Sequence, residues 1–192
     1  MRTRTLALAS SALTALLLLA GCSGAPSMDG MDPGSSSPTD SAQPANDADI
    51  DFAMNMVAHH QQAIEMADLL LEKEGVDERV ITLAIAIKEA QGPEIETMTA
   101  WLEGWGQDGM PGMDHGDGMM SDDDMTALEN AAGPEASSVF LEQMIEHHQG
   151  AIDMAEQEVT AGENPDAIAL AQKIIEDQTA EITTMQELLV TI

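Results

Sequence analysis

The sequence lacks tyrosine altogether and contains only two phenylalanines, two tryptophans and one cysteine among its 192 residues. With a single cysteine, no disulfide can form within the chain, so the fold must be stabilised by packing. Basic residues are also scarce: six Lys and Arg stand against 35 Asp and Glu, and the formal net charge is −29. Because phosphate binding needs clustered basic side chains, we exclude nucleic acid as a ligand, whereas so acidic a chain attracts cations.

The start of the chain has the pattern of an export signal. Two arginines precede an apolar run at residues 6–20, which is too short to span a bilayer comfortably. The run ends in the letters LAGC at residues 19–22, which resemble the bacterial lipoprotein box. That resemblance implies cleavage before Cys22 and attachment of acyl chains to it. We therefore predict a lipoprotein signal peptide at residues 1–21 and a mature protein outside the cytoplasm, anchored to the cell membrane through Cys22.

Composition divides the rest of the chain into a tether and one domain. Residues 22–48 are rich in Ser, Pro, Gly, Ala and Asp and show no apolar period, which is typical of a flexible linker. Residues 49–192 show regular apolar spacing and are numerous enough for one domain with its own core. Within this domain we predict an irregular, methionine-rich loop at residues 104–126.

Apolar residues in the domain recur at helical spacing, and no segment alternates as a strand would. Gly92-Pro93 falls inside one of the helical patterns; proline lacks the N–H that a helix needs, so we expect a kink there or a break into two helices. Asn164 and Pro165 suit the N-cap and the first position of another helix. The spacing predicts four main helices, at residues 49–74, 78–104 and 134–161 and from residue 165 to near the C terminus.

Two segments of the domain are nearly the same. Residues 52–67 read FAMNMVAHHQQAIEMA, and residues 140–155 read FLEQMIEHHQGAIDMA. The helices that follow also match, because the pattern Gln-x-x-Glu-Ile-x-x-Met begins at Gln91 and again at Gln178. A helical hairpin with one apolar stripe per helix cannot bury that stripe alone. We therefore predict an all-α fold in which two repeated hairpins pack as an antiparallel four-helix bundle with pseudo-twofold symmetry.

The repeat places histidine and methionine on helix faces that we expect to be buried. At about 100° per residue, Met56, His59 and Met66 share one side of the first helix, with His60 at its margin. Imidazole binds several transition metals, whereas thioether sulfur selects Cu(I) or Ag(I), so the mixed set favours copper. The two sets either converge near the axis or form two equivalent sites, and the alternative is plain core packing. The third helix carries the matching residues Met144, His147, His148 and Met154.

A second candidate site lies in the segment MPGMDHGDGMMSDDDM at residues 110–125. Its glycines and acids leave no helical stripe, so we expect its methionines to have no core to fill. Thioethers need no deprotonation, which suits such a segment to Cu(I) even at low pH. The alternative is a low-complexity insert without metal. The residues predicted to bind metal here are Met110, Met113, His115, Met119 and Met120.

The paired Met-x-x-His-His-x-x-Ala-Ile-x-Met-Ala motif, followed in each half by the Glu-Ile…Met helix, resembles the bacterial family known as domain of unknown function 305. The resemblance covers residues 49–192. It implies a ferritin-like four-helix bundle, export from the cytoplasm and, in some members, copper binding through His and Met with a role in copper tolerance. By this likeness the metal-binding positions are Met56, His59, His60, Met66, Met144, His147, His148 and Met154.

Two alternatives to a copper protein stay open. A ferritin-like form raises that of a di-iron or di-manganese oxidoreductase, whose sites place Glu three residues before His. Here Met56 and Met144 stand at those positions, and the sequence contains no nucleophile motif or phosphate-binding loop. The other alternative is a structural or interaction bundle without metal at the cell surface. The sequence favours a membrane-anchored protein that binds Cu(I), with Ag(I) or Cu(II) as further ligands, and acts as a sink or carrier and not as an enzyme.

Overall fold

The computed structural model describes residues 44–107 and 118–192, which form five helices. Their bounds are α1 Asp47–Leu71, α2 Glu78–Gly104, α3 Asp122–Asn130, α4 Pro134–Ala161 and α5 Pro165–Leu189. The prediction of an all-α bundle of two hairpins is confirmed, since the four long helices are those that the apolar spacing predicted. The segments outside the described residues include the predicted signal peptide, Cys22, most of the tether, and Met110, Met113 and His115.

The helix starts follow capping chemistry that is readable in the sequence. The Asn46 side chain accepts a hydrogen bond from the backbone N–H of Asp49, whose carboxylate accepts one from the N–H of Asn46. At α5, the Asn164 side chain accepts from two backbone N–H groups, and Pro165 takes the first helical position. The fourth long helix therefore begins where it was predicted to begin.

Helix α2 runs unbroken through Gly92 and Pro93, so the expected break into two helices does not occur. Proline disfavours the helical conformation of the preceding residue through contact with that residue's Cβ. Gly92 has no Cβ, and no atom of a neighbouring element lies within 4 Å of where one would be. The helix therefore tolerates the missing N–H, and a single α2 presents Gln91, Glu94 and Met98 to the core.

The segment predicted as an irregular loop at residues 104–126 ends in the short helix α3, which the sequence analysis missed. The Ser121 side chain accepts from the N–H of Asp124 while the Asp124 carboxylate accepts from the N–H of Ser121, a complete capping box. Met120 is 4 % exposed and belongs to the hydrophobic core, and Met125 packs against the same cluster. The expectation that these methionines have no core to fill is therefore wrong for Met120.

The two hairpins, α1–α2 and α4–α5, pack together through α1 and α4, which run antiparallel. The start of α1 meets the end of α4, where the Asn46 side-chain amide donates to the carbonyl of Ala161 at 2.8 Å. The buried apolar residues form two clusters, and these lie toward opposite ends of α1 and α4: one contains Met66 and Met144, and the other contains Met56. The positions between the clusters are occupied by His59, His60, His147 and His148.

The long helices are amphipathic and not apolar all round. On α1, Asp51, Glu65 and Asp68 are exposed, whereas Phe52 and Leu70 lie in the core. None of the helices within residues 44–107 and 118–192 combines the length and the apolarity that crossing a bilayer requires.

Candidate metal centre

Four histidines lie near the middle of α1 and α4, inside the bundle. His59, His60, His147 and His148 are all between 0 % and 1 % exposed. His60, which the sequence placed at the margin of the buried face, is as deep as His59. Adjacent residues on a helix point about 100° apart, so both can be buried only where other helices cover the outer side. Here α2 and α5 provide that cover, and we refer to the four side chains as the histidine layer.

The inner pair of the histidine layer, His59 and His147, joins the two halves of the repeat. Their ring centroids are 3.6 Å apart, and their planes are tilted by 39°. No ring nitrogen of either residue has a well-formed hydrogen bond to a described residue. Buried polar atoms nearly always have partners, because an unpaired one costs about 1–3 kcal/mol. Four ring nitrogens in one contact without a well-formed hydrogen bond among the described residues therefore mark a candidate ligand site.

The outer pair, His60 and His148, is held by carboxylates from the second helix of each hairpin. Nε2 of His60 is 3.0 Å from Oε2 of Glu94, and Nε2 of His148 is 2.6 Å from Oε2 of Glu181. When Nε2 donates its proton to the carboxylate, Nδ1 carries the free lone pair. Both Nδ1 atoms are buried and have no hydrogen-bond partner among the described residues. Carboxylates orient metal-binding histidines in this way, so the outer pair also fits a metal site.

Burial keeps three of these imidazoles neutral, those of His59, His60 and His147. It lowers the pKa of His59 from 6.5 to about 3, and repulsion from His60 and His148 adds to the effect. Burial likewise lowers the pKa of His147 well below its usual value, and that of His60 although Glu94 partly opposes the change. Burial would raise the pKa of Glu94, but its hydrogen-bond partners outweigh that effect and leave the pKa lowered. Neutral imidazole is the form that binds metal ions, so these three histidines can accept a cation at neutral pH.

Two pairs of buried methionines flank the histidine layer. Met56 precedes His60 by four residues on α1, and Met98 follows Glu94 by four residues on α2. Because the two helices of a hairpin run antiparallel, Met56 and Met98 lie at the same level along the bundle. Each pair belongs to one of the two hydrophobic clusters, and every member is 0 % exposed. At about 1.5 Å per residue, each pair lies about 6 Å along the axis from the carboxylate-bound histidine. The second hairpin repeats this geometry with Met144 and Met185.

The other predicted methionine ligands of the helices lie farther along the bundle. Met66 is fully buried, and Met154 is partly buried in a surface cleft beside Phe52. Each follows the first histidine of its helix by seven residues, which is about 10 Å along the axis. The structure therefore brings Met98 and Met185 nearer to the histidine layer than Met66 and Met154.

The methionine-rich segment reaches the histidine layer at its C-terminal end. A Cβ at Gly118 would lie 2.5 Å from Cα of Gly150 and 3.4 Å from Nε2 of His59. Gly118 has a φ of +86°, so both its backbone and this close approach require glycine. The Gln62 side chain accepts from the N–H of Met120 at 2.7 Å and donates to its carbonyl at 2.9 Å. The chain from Gly118 to Met120, which we call the strap, therefore lies across α1 and α4 beside the inner pair, and Met119, half-buried, is its middle residue.

Replacing Gln62 by leucine should release the strap. The substitution removes both hydrogen bonds and leaves the buried N–H and C=O of Met120 unpaired, so we expect a loss of about 2 kcal/mol in the free energy of unfolding. The Met120 amide should also exchange with solvent faster. Urea denaturation and amide hydrogen exchange measure the two effects. Gln61→Leu is the matched control because Gln61 is exposed; unchanged protection of the Met120 amide in Gln62→Leu would contradict the role of Gln62.

Two groups that build the site were not predicted, although the sequence contains a signal for them. Glu94 and Glu181 belong to the repeated pattern Gln-x-x-Glu-Ile-x-x-Met but were not predicted as partners of histidine. Their pattern recurs after 87 residues, and the histidine segments recur after 88. Glu94 therefore follows His60 by 34 residues, and Glu181 follows His148 by 33. The same repeat contains Gln91 and Gln178, which are buried and have side-chain amide atoms unpaired among the described residues. When polar residues of a neighbouring helix recur at nearly the same offset as the histidines, the sequence therefore indicates that they belong to the same site.

The site differs from that of a dinuclear carboxylate enzyme. Such enzymes bind their metals directly through several carboxylates. In residues 44–107 and 118–192, no group of three or more His, Cys, Asp or Glu side chains is arranged to hold a metal ion, and this includes the four histidines of the layer. Glu94 and Glu181 bind histidine nitrogens instead. A metal at this site would depend on imidazole nitrogen and thioether sulfur.

The fold and the site together define a four-helix bundle with a buried layer of histidines between pairs of methionines. The model of DUF305, a domain of unknown function, matches residues 49–189. The chain therefore belongs to the DUF305 family, as its repeated motif predicted.

Solved structures agree with this assignment. A DUF305 fragment from Deinococcus radiodurans is 32 % identical, with a TM-score of 0.70, over 78 % of this chain and 100 % of the fragment. A DUF305 protein from Streptomyces coelicolor, whose secretion is inferred, is 32 % identical, with a TM-score of 0.68, over 74 % of this chain and 91 % of its own. CopM in its Cu(I)-bound form is 34 % identical, with a TM-score of 0.63, over 73 % of this chain and 94 % of CopM. CopM has also been solved in Cu(II)-bound and Ag-bound forms. No curated protein matches the chain significantly.

Proposed function

We propose that this protein binds Cu(I) at the centre of its bundle and acts outside the cytoplasm as a copper sink or carrier. The observation that carries the proposal is the contact between His59 and His147, where four buried ring nitrogens have no well-formed hydrogen bond among the described residues. Apolar side chains at these positions would pack without the cost of desolvating polar atoms. Both halves of the repeat bury imidazoles despite the cost of desolvating their nitrogens. Binding of a ligand explains this better than packing does.

The donor set supports a soft, singly charged metal. The donor groups are imidazoles and thioethers, and no thiolate or free carboxylate is among them. Thioether sulfur favours Cu(I) and Ag(I), whereas imidazole alone also accepts Cu(II) and Zn(II). The formal net charge of −29 draws cations toward the protein. The residues that we propose as donors are His59, His60, His147 and His148 with Met56, Met98, Met144 and Met185.

The relatives support the same ligand class. CopM has been solved with Cu(I), Cu(II) and Ag bound, and it shares 34 % identity with this chain over 73 % of its length. That likeness supports copper as the ligand of this chain, with silver as a chemical substitute. We further propose that Cys22 carries a lipid anchor and that the tether between Cys22 and the N-cap of α1 at Asn46 holds the bundle away from the membrane.

The methionine-rich segment fits a role in capture. Met110, Met113 and His115 precede the strap in the sequence, and Gly118 at the start of the strap adjoins Nε2 of His59. We propose that this segment takes up Cu(I) first and passes it to the inner pair. The burial of Met120 in the core makes Met119 the better thioether donor of the strap.

Competitive Cu(I) titration against a chromophoric chelator tests the proposed function. The proteins to compare are wild type, a variant lacking residues 108–117, and a variant with all four histidines of the layer replaced by alanine. Wild type should retain Cu(I), the deletion should lose part of the bound copper, and the alanine variant should lose the copper of the bundle. Far-ultraviolet circular dichroism checks that each variant is folded.

The titration has two results that count against the proposal. Wild-type stoichiometry in the alanine variant would refute the site in the bundle and leave the methionine-rich segment as the binding region. A wild-type protein that retains neither Cu(I) nor Ag(I) would leave a structural or interaction bundle as the function.

A further inference from the structure

The two repeated hairpins, α1–α2 and α4–α5, supply nearly the same donors to the site, and we call the donors of one hairpin a half of the site. Each half contributes two adjacent histidines, a buried methionine pair and a buried glutamine. Each also contributes a glutamate that holds its outer histidine, Glu94 for His60 and Glu181 for His148. On these groups alone, the two halves would bind the same ion with the same affinity.

One lysine breaks this symmetry. Lys173, on α5, reaches across to the other hairpin, where its Nζ lies 3.0 Å from Oε1 of Glu94, and it also binds Asp177 at 2.6 Å. At the offset of 87 residues that relates α2 to α5, the equivalent of Lys173 is Ala86, which is exposed and uncharged. Within the described part of the chain, Glu181 forms a hydrogen bond with His148 and pairs with no lysine or arginine.

The other basic side chains of the described residues bind away from the histidine layer. Lys73 donates to a backbone carbonyl of α3, and Arg79 pairs with Asp77 at the start of α2. Lys88 pairs with Asp68 between α1 and α2. Lys173 is thus the basic residue, among those that the structure describes, whose charge reaches a carboxylate of the site.

Lys173 weakens the half-site that contains Glu94 in two ways. A carboxylate that accepts the N–H of a histidine increases the basicity of the other ring nitrogen and strengthens it as a metal ligand. An ammonium group on the second oxygen of that carboxylate draws away part of its negative charge, and the same positive charge repels an incoming cation. The hydrogen-bond lengths agree, since the His148 contact is 2.6 Å and the His60 contact is 3.0 Å.

We propose that the two halves bind Cu(I) in order, the half with His148 and Glu181 first and the half with His60 and Glu94 second, and that Lys173 sets this order as a positioning residue. The inference rests on the copper-binding function proposed above. A site of unequal halves retains one ion and gives up the other readily. This property suits a carrier that delivers copper better than a sink that only stores it.

Two substitutions in the full-length protein test the order of binding. Lys173→Met keeps the aliphatic stem but removes the charge, so the weaker of two Cu(I) binding steps should tighten about tenfold. Ala86→Lys places a lysine near Glu181, so the tighter step should weaken by a similar factor. Chelator competition resolves both steps. Lys88→Met removes a lysine from a surface pair and should move neither step, which controls for the change in net charge. Equal binding steps in wild type, or a Lys173→Met protein with the wild-type constants, would overturn the inference.

A measurement without copper separates the role of Lys173 from the copper-binding proposal. In the metal-free protein, the Nε2–H proton of His148 should resonate farther downfield in the NMR spectrum than that of His60, because its hydrogen bond is shorter. Lys173→Met should move the His60 proton downfield and leave the His148 proton in place. Coincident resonances, or a His60 proton that does not move, would overturn the effect of Lys173 on Glu94. If the shifts occur but wild type binds no Cu(I), the copper-binding proposal fails and the binding order fails with it.

Discussion

Replacing both His59 and His147 by leucine should abolish copper binding in the bundle and raise the stability of the metal-free protein by about 2 kcal/mol. The ring nitrogens of this pair are buried without well-formed hydrogen bonds among the described residues, and an unpaired polar group costs about 1–3 kcal/mol. Leucine is apolar and of similar size, so it joins the hydrophobic clusters on either side without a desolvation cost. Urea denaturation of the metal-free proteins and chelator competition measure the two effects.

The outer pair supplies the matched control. Replacing His60 and His148 by leucine removes the same number of imidazoles from the same layer. It also leaves Glu94 and Glu181 without their histidine partners, so we expect a loss of about 3 kcal/mol in stability. Copper binding should fall in both double variants, whereas stability should change in opposite directions. An inner-pair variant that is as destabilised as the outer-pair variant would show that His59 and His147 serve packing.

Replacing Glu158 by glutamine should stabilise the protein at pH 8 by about 2 kcal/mol more than it does at pH 5. Glu158 is 1 % exposed, and burial together with nearby Asp49 raises its pKa from 4.5 to about 8. Asp49 stays ionised because three backbone N–H groups donate to it, and they lower its pKa although burial opposes them. The raised carboxyl pKa means that unfolding releases a proton between pH 4.5 and pH 8, so wild-type stability falls as pH rises through this range. Glutamine is neutral at every pH and removes that loss.

Urea denaturation of both proteins at pH 5 and pH 8 measures the effect of Glu158. We expect a smaller effect on stability than the full pKa shift would give, because the titrations of Glu158 and Asp49 are coupled. Glu156→Gln is the matched control, since it removes an exposed carboxyl from the same turn of α4. A gain in stability from Glu158→Gln that is the same at both pH values would mean that Glu158 is ionised in the folded protein.

The helices were largely predictable because their signals are local. The apolar stripe of α4 predicted residues 134–161, which is the range that the structure shows. Asn164 and Pro165 marked the start of α5 for the same reason, since a cap acts within its own turn. One local prediction needed correction, because a capping box starts α3 inside a segment that composition marked as irregular. Of the two alternatives given for Gly92-Pro93, a kink or a break, the break does not occur.

The site was only partly predictable, because its contacts join residues that are far apart in the chain. The sequence identified His59, His60, His147 and His148 as candidates through the repeat. It left open whether the two sets converge near the axis or form two equivalent sites, and only the structure shows that the inner rings meet, with 3.6 Å between their centroids. It also did not indicate that Gly118 would bring the methionine-rich segment against His59.

The sequence by itself determined the class of fold, the twofold repeat and the residue types available to a metal, because periodicity and duplication are properties of the chain alone. Only the tertiary structure decided which ring nitrogens lack a well-formed hydrogen bond among the described residues and which carboxylates hold the outer histidines. It also decided that Lys173 binds Glu94, whereas no basic residue of the described ranges pairs with Glu181 except His148. Hydrogen bonding and burial depend on the register between helices. That register is set by how two hairpins pack, and no segment of the chain specifies it alone.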